Sequence, residues 1–167
     1  MPELLPSERL RPCLIDRITD SQPGKRTEGR DQRVMTMQKY RQAVLRDLSW
    51  LLNCSNRDPI KDLEGFEEIH KSVLNFGIPD LTGVSASSVD STEVAFRITE
   101  AIRLFEPRII PASLKVTVLS RQDEFSSNAV SFRIEGELWA QPFHEMLLIK
   151  TDVDLETGNF SIQEVSH

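Results

Sequence analysis

Apolar residues recur three and four positions apart between Asp90 and Phe105, which is the spacing of one face of an α-helix. These positions are Val94, Ala95, Ile98, Ala101, Ile102 and Phe105. Asp90 followed by Glu93 matches a capping box at the start of such a helix. Pro107 should end it, because proline lacks an N–H and forces the preceding residue out of the helical region. The pattern predicts a helix that runs from the Asp90 cap almost to this proline.

Two further segments have helical spacing. The stronger one covers residues 36–53, with apolar positions at Met37, Tyr40, Val44, Leu45, Leu48, Leu51 and Leu52. Trp50 lies near its apolar face and is interpreted as a core or boundary aromatic. A shorter helix is predicted over residues 64–75, ended by Gly77 and Pro79. Its inward-facing residues would be Phe66, Ile69, Val73 and Leu74.

After Pro107 the hydrophobic period changes from helical spacing to two, which is typical of half-buried strands. Alternating residues mark four strands, near residues 114–119, 130–138, 147–153 and 160–165. Gly158 can supply the positive φ of a tight hairpin before the last strand. The connections are too short for parallel crossovers. The sequence therefore predicts an α+β fold, with N-terminal helices packed on one face of a mainly antiparallel four-stranded sheet.

The first 33 residues contain little core material. Leu10, Leu14, Ile15 and Ile18 could form a short amphipathic helix near Pro12, and a helix of that length needs to dock on the domain or on a partner. Residues 19–33 are rich in Gly, Pro, Ser and charge, which is typical of a flexible linker. We therefore divide the chain into a flexible segment with a short docking helix, residues 1–33, and a single α+β domain, residues 34–167.

Composition limits the functional classes. The chain has 167 residues, of which 39% are hydrophobic and 28% charged, as expected for one globular domain. It contains no apolar run of about 18 residues and no signal-peptide pattern, so we expect a cytoplasmic protein. Cys13 and Cys54 are expected to be free thiols. The net charge of -6 argues against nonspecific nucleic-acid binding and favours protein partners.

Signatures of enzymes are weak. The three histidines are scattered, and the seven glycines form no phosphate-binding loop, so we expect no metal and no cofactor. One alternative stays open, because Glu106 with Glu135 or Glu137 could supply the paired carboxylates of a muramidase-type hydrolase. A chain with 26 acidic residues offers many such pairs.

Glu106 and Arg108 flank Pro107, between an apolar helix and an apolar strand. Opposite charges held beside a rigid proline predict a half-buried, paired site. The simplest interpretation is a salt bridge that fixes a turn, and such a bridge, if exposed, contributes only about 0 to 1 kcal/mol.

Five blocks of sequence, taken in order, resemble a known family. They are LRPCLIDRI at residues 10–18, YRQAVLRDLSWLLN at 40–53, SVLNFGIPDLTG at 72–83, IRLFEPRI at 102–109 and FRIEGELW at 132–139. Together they resemble the TssE family, the small baseplate subunits of bacterial type VI secretion systems, and the baseplate wedge protein of contractile phage tails, which shares its domain. Cys13 and Ile15 replace the serine and leucine expected in the first block.

The resemblance implies a structural baseplate component rather than an enzyme, an adaptor that links the baseplate wedge to the first ring of the contractile sheath. Partners would be other wedge subunits and sheath proteins, without nucleic acid, membrane insertion or cofactor. The sheet also resembles the strand-exchange module of sheath subunits, so a neighbouring chain could extend an edge strand. The implied protein contacts are the corner Glu106, Pro107 and Arg108, and the N-terminal residues Leu14, Ile15 and Ile18.

Overall fold

The computed structural model describes residues 10, 12–19, 24, 35–57, 66–83, 90–119, 129–140 and 144–165. Helices precede a four-stranded antiparallel sheet, so the predicted α+β class is confirmed. The helices are α1 (Leu14–Ile18), α2 (Met37–Leu52), α3 (Glu67–His70) and α4 (Ser91–Phe105). The strands are β1 (Lys115–Leu119), β2 (Ala129–Leu138), β3 (Glu145–Asp154) and β4 (Phe160–Glu164). In these ranges no helix is long and apolar enough to cross a bilayer.

The sheet is a simple meander with the order β1-β2-β3-β4, and every neighbouring pair is antiparallel. Alternate residues of β2 and β3 are buried, which gives the sheet one core face and one outer face. Gly158 has a φ of 71° in the turn before β4, as its position predicts. The four predicted strands are therefore all present, with ends that differ by a few residues.

The two long helices supply the other half of the core. Thr36 caps α2 by accepting a hydrogen bond from the Lys39 N–H, and Asp90 caps α4 by accepting from the N–H groups of Thr92 and Glu93. Their buried residues include Tyr40, Val44, Leu48, Leu51, Leu52, Val94, Ala95, Ile98, Ala101 and Ile102, which join the core face of the sheet in one cluster. The predicted helical faces are confirmed.

The chain that follows α4 is fixed against the end of β2. The Trp139 N–H donates to the Arg108 carbonyl at 2.7 Å, and the Ile110 N–H donates to the Glu137 carbonyl at 2.8 Å. Gly136 permits this close approach, because a Cβ there would lie 2.9 Å from Cγ2 of Ile109. The corner is therefore held by a helix on one side and by the sheet on the other.

The prediction of one helix over residues 64–75 is wrong. In the described part of this segment α3 has four residues, and a separate 3-10 turn covers Val73–Asn75. Three of the predicted inward residues are exposed instead, at 57% for Phe66, 80% for Val73 and 68% for Leu74.

Local hydrogen bonds explain the interruption of that helix. The Ser72 hydroxyl accepts from the Leu74 N–H at 3.2 Å and thereby starts a new turn. Asn75 is buried and its side chain bonds the Arg57 N–H at 2.9 Å and the His70 carbonyl at 3.2 Å. The polar residue Asn75 is therefore buried in this segment, whereas the helical pattern predicted that its buried residues are apolar.

Candidate functional site

Glu106 and Arg108 form the centre of the site. Glu106 is only 3% exposed. Arg108 Nε donates to Glu106 Oε1 at 2.6 Å, and Arg108 Nη2 donates to the other carboxylate oxygen, which makes a two-pronged pair. The Arg108 backbone N–H also reaches Oε1, at 3.2 Å. The predicted pairing is confirmed, and Glu106 is more deeply buried than the sequence suggested.

Asp47 is a third member of the site. Arg108 Nη2 donates to Asp47 Oδ2 at 2.6 Å, which joins the corner to the middle of α2. Sequence reasoning missed this residue, because a charged residue among the apolar positions of an amphipathic helix is expected on its polar side. Periodicity gives no indication that it meets a residue 61 positions later in the chain.

The ion pairs continue from Asp47 to the N-terminal helix. Arg46 lies 2.7 Å from Asp47 Oδ1 and 2.6 Å from Asp16 Oδ1 of α1. The Cys13 thiol donates to the second oxygen of Asp16 at 2.8 Å, and both cysteines of the chain are free thiols, as expected. We call the charged residues Glu106, Arg108, Asp47, Arg46 and Asp16 the charge chain.

Arg108 and Asp16 of the charge chain have pKa values that differ from those of free side chains. Burial lowers the pKa of Arg108, but the hydrogen bonds and charges of Glu106 and Asp47 outweigh burial and raise it above its usual range. Burial raises the pKa of Asp16, but the Cys13 hydrogen bond and the Arg46 charge outweigh that effect and lower it. Arg108 and Asp16 are therefore both ionised at neutral pH.

The surface around the corner is apolar and partly open. Pro107 is exposed, and Trp139, whose N–H bonds the Arg108 carbonyl, is 48% exposed. Tyr40 lies beneath and donates its hydroxyl to the Trp139 carbonyl at 3.0 Å. Arg108 Nη1 is buried and has no hydrogen-bond partner among the described residues. Pro107 and Trp139 are thus exposed beside the rigid ion pair of Glu106 and Arg108. We call these two exposed residues the rim.

The N-terminal helix is formed as predicted, but it contacts the domain through charge. The Asp16 to Arg46 ion pair joins it to α2, while Leu14 and Ile18 are each 72% exposed and Ile15 is 39% exposed. The guanidinium of Arg46 also lies over the Trp50 ring, 5.0 Å from its centroid. Trp50 is 50% exposed, which agrees with a boundary position. The apolar residues of α1 are thus available to another surface.

The carboxylate geometry gives no support to a hydrolytic site. Both oxygens of Glu106 accept hydrogen bonds from Arg108, so neither oxygen of this carboxylate is free. Glu135 and Glu137 lie on the outer face of the sheet, because they alternate with the buried residues of β2. Among the residues that the structure describes, no three His, Cys, Asp or Glu side chains are arranged so that they could hold a metal ion.

The fold and the site together define an α+β domain with a rigid charged corner beside an exposed proline and an exposed tryptophan. A family model described as baseplate wedge protein gp25 matches residues 38–143, which is more than half of the chain. The chain belongs to the baseplate wedge protein gp25 family. TssE is the type VI homologue of gp25. Neither the curated proteins nor the solved structures that were compared with the chain match it.

Family membership supports a structural role in a baseplate, in assembly with other baseplate components. The matched region includes Asp47, the corner and β1 and β2, but it begins after α1. The corner therefore lies within the family domain, and the N-terminal helix lies outside the matched region.

Proposed function

We propose that this protein is the TssE-type baseplate subunit of a type VI secretion system. It acts in the cytoplasm as a non-enzymatic adaptor between the baseplate wedge and the first ring of the contractile sheath. The observation that carries the proposal is the Glu106–Arg108–Asp47 cluster, which lies within the family domain beneath an exposed Pro107 and Trp139.

The corner acts as a preformed contact. Its shape is fixed by the two-pronged ion pair, by the proline and by the hydrogen bonds to β2, so a partner does not have to order it on binding. Tryptophan and arginine are enriched among the residues that carry binding energy at interfaces. We therefore assign the corner residues and the Trp139 rim to the sheath-side contact.

The apolar residues of α1 form the second contact. Leu14, Ile15 and Ile18 would lose most of their exposed area against a neighbouring wedge subunit, and burying one such side chain fully contributes about 1.5 to 3 kcal/mol. The ion pair between Asp16 and Arg46 sets the position of the helix before binding. The charge chain then connects the two contacts of the adaptor.

The proposal is tested by purifying the tagged full chain from its own cells and identifying bound proteins by mass spectrometry. We expect baseplate and sheath subunits in stoichiometric amounts. Trp139→Ala should reduce the recovery of sheath subunits, and Leu14→Ser with Ile18→Ser should reduce the recovery of wedge subunits. Phe96→Ala is the matched control, because Phe96 is 52% exposed on α4 and belongs to neither contact. If all variants still recover both the sheath subunits and the wedge subunits, the proposal is contradicted.

A further inference from the structure

The 3-10 turn Val73–Asn75 presents two large apolar side chains to solvent. Val73 is 80% exposed and Leu74 is 68% exposed, and no other adjacent pair of large apolar residues in the described chain is as exposed. Asn75, the third residue of the turn, is buried. The turn thus reverses the usual distribution, in which apolar side chains are buried and amides face water.

Hydrogen bonds hold the turn in this orientation. The Leu74 N–H is bonded to the Ser72 hydroxyl, and the buried amide of Asn75 bonds backbone groups on both sides of it. A rotation that turned Val73 and Leu74 inward would break these bonds and expose apolar side chains of neither residue to any partner. It would also leave the Asn75 amide without its present partners, which is costly for a polar group in the interior.

The chain that follows the turn is fixed as well. Phe76 packs edge-on against Phe105, with 5.2 Å between the ring centroids. The Ile78 N–H donates to the Cys54 carbonyl at 2.9 Å. Gly77 has a φ of 117°, and a Cβ at this residue would collide with the same carbonyl. Both ends of the turn are therefore anchored, and its exposed side chains are preformed for a contact.

The charges beside the turn indicate what it contacts. Glu67 and Glu68 begin α3, which packs against the turn, and both are exposed. Neither has an ion pair among the residues that the structure describes. Lys71 offsets one of the two charges, so the stretch from residue 66 to residue 76 has an excess of negative charge when His70 is neutral. We call Glu67 and Glu68 the acidic flank of the turn.

We infer that Val73 and Leu74 form a third protein contact, which inserts into an apolar pocket of a neighbouring subunit whose edge carries Lys or Arg residues. The inference rests on the assembly role proposed above and adds a contact to the corner and to α1. A second copy of the chain is disfavoured as the partner, because each copy has a net charge of -6. A bilayer is disfavoured because anionic lipids repel the acidic flank.

Cross-linking at the turn identifies the partner. A photoreactive phenylalanine analogue replaces Val73 in the full chain, in its own cells, and the cross-linked peptides are identified by mass spectrometry. We expect a peptide of one baseplate or sheath subunit that contains apolar residues and Lys or Arg. The same analogue at Val165 is the matched control, because Val165 is 42% exposed beyond the end of β4 and belongs to none of the three contacts. It should not cross-link to that peptide.

Binding of the cross-linked subunit, once purified, measures the apolar and the charged parts of the contact separately. Val73→Ser with Leu74→Ser should raise the Kd by about tenfold or more, at an unchanged melting temperature, because both side chains are exposed in the free chain. Glu67→Lys with Glu68→Lys should also weaken binding. Added salt should weaken the wild-type complex more than the complex of this second variant. Val165→Ser should bind as the wild type does.

The outcomes separate this inference from the proposed function. If the wild-type chain recovers no baseplate or sheath subunit, the proposed function fails and the inference falls with it. If those subunits are recovered but the analogue at Val73 cross-links to none of them, the third contact alone is wrong. Equal binding by the wild type and the Val73→Ser, Leu74→Ser variant has the same consequence.

Two further results would overturn the partner assignment. One is a cross-link from Val73 to a second copy of the chain, together with a dimer of the isolated chain that the double serine variant abolishes. The other is flotation of the wild-type chain with vesicles of phosphatidylethanolamine and phosphatidylglycerol, which the same variant loses.

Discussion

At the scale of single residues, Glu106 can be buried because Arg108 pairs with both of its carboxylate oxygens. A carboxylate at 3% exposure without a partner would be strongly destabilising, and here both oxygens are paired. The ion pair is therefore a structural element as well as a candidate contact. An exposed bridge of the kind expected from the sequence would contribute far less.

Arg108→Ala tests this structural role. The substitution strands Glu106 and Asp47, and breaking a buried pair in this way costs about 3 to 5 kcal/mol. We expect the melting temperature to fall by roughly 6 to 20 °C in a chain of this size. Arg108→Lys should recover only part of the loss, because an ammonium group cannot form the two-pronged contact.

Arg103→Ala is the control for that melt, since it breaks an exposed ion pair with Glu100 whose partners are about half exposed. It should change the free energy of unfolding by no more than about 0.5 kcal/mol. A wild-type melt for Arg108→Ala would mean that the cluster does not stabilise the fold.

Asp16 gives the protein a pH-dependent N-terminal contact. Its pKa in the folded protein is lower than the usual 3.8, so the docking stabilisation is present above that value and is lost as pH falls through the lowered pKa. We expect the amide protection factors of α1 to fall below about pH 4. The change should be at most about fivefold, because the pair with Arg46 is partly exposed.

Asp16→Asn should release α1 already at pH 7, without an appreciable change in the melt of the domain. If the protection of α1 in this variant equals that of the wild type, the helix is held by contacts other than the ion pair.

At the scale of elements, α2, α4, β2 and β3 could be predicted because each buries a full face and so carries a clear period. The shorter strands β1 and β4 could be predicted from their alternation of apolar and polar residues, although neither buries a full face. Residues 64–75 could not, because the hydrogen bonds of Ser72 and Asn75 override an approximate helical spacing. Asp47 could not be assigned to the corner, because its contact depends on how α2 packs beside α4. The resemblance identified the corner, and the geometry added its third residue.

Ile98→Asp should unfold the domain. Ile98 is fully buried in the middle of α4, and an unpaired carboxylate there costs several kcal/mol against a total stability of roughly 5 to 15 kcal/mol. Phe96→Asp, two positions earlier on the exposed side of the same helix, should remain folded. Circular dichroism melts of both variants check the expectation, and a folded Ile98→Asp variant would mean that the core face of α4 is misassigned.

At the scale of the whole molecule, we expect the domain to keep its core without the N-terminal segment, although Leu10 of that segment packs against the core. The described residues of α1 include no buried side chain. Removing residues 1–33 should therefore leave the melting temperature within about 2 °C of the full chain, while binding to wedge subunits is lost. A cooperative loss of structure on truncation would show that the segment belongs to the core.

We propose that this baseplate protein acts in sheath assembly through its corner. The most direct measurement is the number of sheaths assembled per cell, counted by fluorescence microscopy of a labelled sheath subunit. Trp139→Ala, which removes an exposed rim residue and leaves the charge chain intact, should abolish most assembled sheaths at unchanged protein level and melting temperature. Phe96→Ala should assemble sheaths normally. Normal sheath numbers with Trp139→Ala, in cells that lose their sheaths when the whole protein is deleted, would contradict the account.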